Sequence, residues 1–236
     1  MFYLDPLYIV LFLTTIALGG FTQLYIKSMF ARYSQIRPES GLTGQQVAQR
    51  ILQTNGIYAS EGVGGGRDSV AVMGVGGNLS DHYDPRTGVV SLSKAVHQVS
   101  SVAANAVAAH EVGHALQSAQ HYVFGEIRSA LVPAVNFGSQ AAGLLIIVGI
   151  FSRLLPFLWI GIAFYSLSVV FQIVTLPVEL NASKRALVQL RDGGILTSAE
   201  LPGARKVLRA AALTYVASAL ISVLYLLYYL GFARRR

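Results

Sequence analysis

The stretch Ala109–Gln117, AHEVGHALQ, holds two histidines four residues apart, with a glutamate directly after the first. On a helix, residues four apart lie one turn from each other on the same face. His110 and His114 can then bring two imidazole nitrogens to one ion, at about 2.0–2.1 Å each. Glu111 is rotated beside them, placed to take a proton from a water next to the metal, not to ligate. The chemistry such a trio performs is zinc-assisted hydrolysis. The alternative is two chance histidines on a packed helix, against which stands the alanine-rich helical context of the motif.

Two imidazoles rarely hold a catalytic zinc alone. Three protein ligands and one open position are usual. The extended pattern H-E-x-x-H-x-x-G-x-x-H would need glycine at 117 and histidine at 120, where this chain has Gln117 and Gln120. His121 lies seven residues past His114, about 10.5 Å along a continuing helix axis. It shares the face but cannot share the ion without a break. A two-His, one-Glu set needs a carboxylate, and four follow the motif. Glu126 is expected to continue the same helix and point along it. Asp192 precedes Gly193-Gly194 and reads as a helix end. Glu200 sits in the capping-type sequence TSAELPG. Glu179, in TLPVELNASKRALVQL, follows a long apolar run and Pro177. A carboxylate at that boundary needs a partner, since an unpaired buried charge is costly. A zinc ion is one such partner; Lys184 or Arg185 is the plainer alternative. Glu179 is the preferred third ligand.

The elements around these residues are read from composition. Of the 236 residues 53% are hydrophobic and 12% charged, where soluble domains carry roughly 25% charged residues. A membrane protein is indicated. The net charge of +7 does not point to nucleic acid, because the bases flank apolar runs and are not interleaved with aromatics. There is no cysteine, which excludes disulfides and thiolate ligands.

Four stretches are long enough to cross a bilayer. Residues 6–26 lack a basic leader and a small-residue cleavage site, and read as an anchor. Residues 130–178 form a hairpin of two spans, about 130–151 and 154–178. Its first arm is interrupted by Pro133, Asn136 and Gln140, its turn is Ser152-Arg153, and Pro156 suits the first turn of the second arm. Residues 210–232 make the fourth span. Four crossings leave the extramembrane segments 27–129 and 179–209 on one side, so they can share a site.

Within 27–129, Thr43-Gly44-Gln45-Gln46 fits a capping box for a helix ending near Asn55-Gly56. A glycine-rich stretch follows. It is no nucleotide cradle: Arg67 occupies the third glycine position of G-x-G-x-x-G, and no Gly-Lys-Ser/Thr follows. Strands are expected at 69–75 and 89–92, with a turn over Asp84–Gly88. From about Ser93 the chain turns helical, rich in alanine but too polar to span lipid. In DHYDP, His82 or Tyr83 could donate a hydrogen bond to the oxyanion of a tetrahedral intermediate. The alternative is a packed turn in which Asp84 binds its own backbone. The strands could also pair with an extended substrate.

GLTGQQVAQRIL, DHYDPRTGVVSLS, VAAHEVGHALQ, TLPVELNASKRAL and AALTYVASAL together resemble the YugP-like neutral zinc metallopeptidases of bacterial membranes, over nearly the whole chain. The resemblance implies a multi-pass zinc peptidase in which His110 and His114 are ligands and Glu111 is the base. VELNAS is also distantly similar to the Glu-x-x-x-Asp helix of HtpX-like and prenyl-protein proteases. There the glutamate is the third ligand, matched by Glu179, and the aspartate orients a histidine. Ser183 stands at that second position, so Ser183 or Asn181 is the candidate to orient a ligand.

The expectation is a mainly α membrane protein with about four transmembrane helices and an extramembrane zincin-like α+β catalytic region. It would bind one Zn²⁺ per chain and cleave protein or peptide substrates at the bilayer surface, with a quality-control role suggested by analogy. Two rivals are kept. A site-2-type intramembrane protease would need H-E-x-x-H inside a span, and Asp192-Gly193 is its only echo, beside Arg191. A non-catalytic scaffold or transport subunit with a structural zinc would have no use for Glu111. Basic residues favour the cytoplasmic side of short loops. Ten Lys or Arg flank the helix ends on the motif side, against Arg153 and the Arg234–Arg236 tail opposite. The active site is therefore expected to face the cytoplasm.

Overall fold

The computed structural model describes residues 5–60, 69–77 and 80–235. The glycine-rich stretch with Arg67 lies outside the described residues. Among the described residues, seven helices and four strands follow in order: α1 (Pro6–Ser34), α2 (Gly44–Thr54), β1 (Tyr58–Ser60), β2 (Ser69–Val75), β3 (His82–Asp84), β4 (Val89–Ser93), α3 (Lys94–His97), α4 (Val102–Ala119), α5 (Val123–Phe151), α6 (Leu155–Asp192) and α7 (Leu201–Arg234). The fold is mainly α with a small mixed sheet.

The described chain divides into two units. One comprises Met1–Gln23, Glu126–Pro177 and Leu213–Arg236. Four helices, α1, α5, α6 and α7, are long and apolar enough to cross a membrane. In their apolar windows only 6% to 22% of residues are buried. Side chains such as Leu13, Phe21, Leu144, Trp159 and Leu227 are exposed. So much outward-facing apolar surface calls for a solvent other than water. The α5–α6 hairpin turns at Ser152–Leu154, with Arg153 in the left-handed region (φ 59°). A Cβ on Gly149 would come within 2.5 Å of the Leu158 amide nitrogen, and one on Gly161 within 2.9 Å of that of Ile146. Small residues here allow the backbones to approach, as between helices in lipid.

The second unit holds Leu24–Gly125 and Val178–Ala212. The capping box of α2 is present: Thr43 Oγ accepts from the Gln46 amide, and the Gln46 side chain accepts from the Thr43 amide. The sheet order is β1-β2-β4-β3, with β1–β2 and β2–β4 parallel and β3–β4 an antiparallel hairpin. Its turn closes through Gly88 N–H to Asp84 O, and Asp84 Oδ1 accepts from the Arg86 amide. Val70, Val90 and Leu92 enter one core with Val47, Ile51, Leu52, Val102, Ala108 and Val112.

The helical run expected from Ser93 is broken. α3 lasts one turn, and α4 begins afresh behind Ser101, whose hydroxyl accepts from the Ala104 amide. Alanine dominates α4 because the helix is buried on nearly all sides, with Ala103, Ala104, Ala106, Ala108 and Ala115 all at 1% exposure or less. The expectation that Glu126 continues the motif helix is corrected. α4 stops at Ala119, His121 turns left-handed (φ 53°), and Glu126 lies in the first turn of α5. α6 and α7, by contrast, outrun the expected spans. The apolar pattern ends near Val178, but Ala182, Lys184, Arg185, Ala186, Leu187 and Gln189 are strong helix formers. The α6 helix continues through them to Asp192.

Candidate metal centre

Two helices of the second unit build the site: α4 with the histidines, and the polar end of α6 with Glu179. They meet at Gly113. A Cβ there would sit 2.7 Å from the Ala182 carbonyl oxygen, so only glycine permits this approach. The glycine inside H-E-V-G-H thus sets how near α6 can bring its carboxylate.

His110 Nε2 lies 3.2 Å and His114 Nε2 3.5 Å from Glu179 Oε2. Among the described residues these three offer ligand atoms all within 4.8 Å of one another. Glu179 is buried, at 3% exposure, and the two imidazoles nearly so.

The outer ring nitrogens show whether the inner ones are free for a metal. Arg185 Nε, which can only donate, reaches Asn181 Oδ1 at 2.7 Å and fixes that atom as oxygen. Asn181 Oδ1 also accepts from Gln117 Nε2 at 3.0 Å, and the Val178 carbonyl accepts from the same nitrogen at 2.8 Å. Gln117 Oε1 must therefore be the atom facing His114 Nδ1, at 3.0 Å. It accepts, so Nδ1 carries the proton. In the neutral ring, His114 Nε2 is then a lone pair aimed at Glu179. Ser183 Oγ stands 3.2 Å from His110 Nδ1 and gives that ring its own outer partner. Two imidazole Nε2 atoms and a buried carboxylate oxygen converge on one point, where they could hold a metal ion. The donor set fits zinc.

Glu111 is 8% exposed. Burial pushes its carboxyl above the ordinary range; His110 and His114 pull it down, while Glu179 and Asp81 add to the rise. Burial also opposes protonation of His114. The hydrogen bond and charge of Glu179 outweigh this and leave His114 above its usual value in the metal-free protein.

Asn181 and Ser183, singled out from the sequence, both sit in this network: Ser183 on His110 directly, Asn181 on His114 through Gln117. Gln117 and Arg185 were not singled out for it. Gln117 drew notice only as the wrong residue for a longer motif. Its one usable signal was position, three after His114 on the same helix face. Asp81 was missed as well; it clasps the Ser93 amide and hydroxyl and acts on Glu111.

Tyr83 pairs with Val90, and residues directly opposite point to the same face, so Tyr83 packs against the core. His82 is exposed, and its Nδ1 donates to the Ser80 carbonyl. His121 is exposed beyond the end of α4. Glu200 accepts from the Glu39 and Thr197 amides, and Asp192 pairs with Arg191 at the surface. α4 is not among the four helices apolar enough to span, which tells against a site-2-type arrangement.

Replacing Gln117 with Leu removes the acceptor for His114 Nδ1–H at similar volume. Zinc affinity of the purified protein is expected to fall about 10–100-fold. Unchanged affinity by chelator competition would show that the amide does not orient His114.

The family described as "Putative neutral zinc metallopeptidase" matches residues 8–234. "Putative membrane protease YugP" of Bacillus subtilis (strain 168) is 44% identical over 219 residues, covering 92% of this chain and 93% of that protein. No solved structure matches. With the match running from α1 through α7 and enclosing both histidines and Glu179, the chain belongs to this neutral zinc metallopeptidase family.

Proposed function

We propose that this protein is a membrane-embedded zinc metalloendopeptidase, with one zinc held by His110, His114 and Glu179 and Glu111 as general base. The observation that carries the reading is the convergence of two imidazole Nε2 atoms on the buried Glu179 carboxylate, with a second buried carboxylate, Glu111, one residue from a ligand. A zinc ion at such a site supplies Lewis-acid polarisation of the scissile carbonyl and lowers the pKa of water. Glu111 takes the proton of the attacking water and delivers it to the leaving amine. Its burial and its like-charged neighbours strengthen it as a base by making the ionised form less comfortable. Gln117, held by Asn181 and Arg185, keeps His114 presenting Nε2; Ser183 does the same for His110.

A purely structural zinc would gain nothing from a carboxylate kept buried at Glu111, which favours the hydrolytic reading over a scaffold. Purified full-length protein should cleave unfolded casein. Activity should stop on chelation and return with added zinc. Chelator-resistant cleavage, or none in zinc-replete protein, would overturn the proposal.

We place the catalytic unit on the cytoplasmic side of a bacterial cell membrane, acting on cytosolic proteins or the cytosolic faces of membrane proteins. The basic bias at the helix ends supports this. A role in membrane-protein quality control follows by analogy only. Gln53 is exposed on α2, so a cysteine there reports sidedness in this cysteine-free chain. An impermeant thiol reagent should label it only after permeabilisation. Labelling of intact cells would reverse the orientation and leave the zinc chemistry standing.

A further inference from the structure

Beyond the metal centre, the polar end of α6 and the start of α7 enclose a cleft of about 320 Å³. Lys184, Arg191, Arg205 and Arg209 line it, and no carboxylate does. Arg191 has Asp192 as a partner. Among the described residues no carboxylate pairs with Lys184, Arg205 or Arg209. Cations gathered at one cleft repel one another unless an anion sits among them. The proposed hydrolysis uses none of the four.

The rest of the lining is mostly apolar, with Leu180, Leu187, Leu208 and Ala212 prominent, and it includes Ser183, the partner of His110. Leu180 is 53% exposed. Along α6 it comes just after the apolar run that ends at Val178, and Ala212 lies just inside the apolar run of α7. A ligand suited to this cleft has an anionic head and an apolar tail. Inorganic phosphate would satisfy the cations and leave Leu180 bare. Basic pockets between spanning helices are a recurrent way to hold acidic lipid head groups.

We propose that the α6–α7 cleft binds an anionic phospholipid, its phosphodiester among Lys184, Arg205 and Arg209 and an acyl chain along Leu180 and Ala212. Lys184, Arg205 and Arg209 take no part in the proposed hydrolysis, so failure of the lipid site would leave the peptidase reading untouched.

The test uses the full chain, zinc-loaded, in zwitterionic detergent, titrated with dioleoylphosphatidylglycerol, dioleoylphosphatidylcholine or inorganic phosphate and read by native mass spectrometry. Phosphatidylglycerol should bind at least tenfold more tightly than phosphatidylcholine. Each of Lys184→Gln, Arg205→Gln and Arg209→Gln should cost roughly fivefold, and the triple variant on the order of 100-fold. Zinc content and Tm should be unchanged, which separates lost binding from lost folding. A triple variant with the same charge change on exposed residues outside the cleft, Arg37→Gln, Arg86→Gln and Lys94→Gln, should keep wild-type preference. Equal binding of the two lipids, equal loss in the control triple variant, or full phosphatidylglycerol binding in the cleft variant would each overturn the proposal. Inorganic phosphate binding as tightly as phosphatidylglycerol would overturn the lipid assignment and leave a simple anion site.

Discussion

Glu111→Gln is expected to lose about 10²–10⁴-fold in casein turnover while retaining full zinc. The amide keeps the size of the side chain but cannot accept a proton from water. The ligand set of His110, His114 and Glu179 is not altered. Wild-type turnover in this variant would remove Glu111 from the role of base; loss of zinc would mean that it ligates.

The same substitution should affect stability with the opposite sign. Burial raises the Glu111 pKa in the folded chain above its ordinary value of 4.5. Between 4.5 and the folded value, the folded state binds more protons than the unfolded state. Stability therefore falls as pH rises through that window, and stays reduced above it. Glutamine does not titrate. Metal-free Glu111→Gln should melt at a higher temperature than metal-free wild type at neutral pH, and the gap should close towards pH 4. A base held in an environment that disfavours its charge is a trade of stability for activity.

Glu179→Ala should have the second large effect. It removes the one anionic donor and leaves two imidazoles facing an empty corner. Losing an outer partner such as Gln117 costs about 10–100-fold in affinity, and losing a ligand should cost more than that. Glu179→Ala is expected to purify without stoichiometric zinc and without activity, with the helical circular dichroism of the wild type. His121→Ala should keep its zinc, because His121 is exposed past the end of α4. Stoichiometric zinc in Glu179→Ala, with loss in His121→Ala, would reverse the choice of third ligand.

Much of the local structure was legible in the sequence because it is set by local chemistry. The Thr43–Gln46 capping box, the Asp84–Gly88 turn and strand β2 each follow from residues within a few positions of one another. Glu179 stands out in the sequence because burying a carboxylate after so long an apolar run demands a compensating partner. The parallel pairing of β1, β2 and β4 could not be read, because parallel neighbours are chosen by non-local contacts. The extent of α6 was missed because apolarity locates the bilayer, not the end of a helix. The Arg185–Asn181–Gln117–His114 chain was invisible for another reason. Its links span about sixty residues of sequence between α4 and α6, and a glutamine on a helix carries no pattern until its partner is known. Gly113 stands in the sequence only as a glycine within an alanine-rich run. Its meaning appears only with the Ala182 carbonyl beside it.

One zinc is expected between α4 and the polar end of α6. Anomalous diffraction at the zinc edge from crystals of the zinc-loaded full-length protein tests it most directly. One strong peak per chain is expected, about 2.0–2.2 Å from His110 Nε2, His114 Nε2 and a Glu179 carboxylate oxygen, with Glu111 outside bonding distance. A peak bound by other side chains, or one that takes Glu111 in place of Glu179, would contradict it.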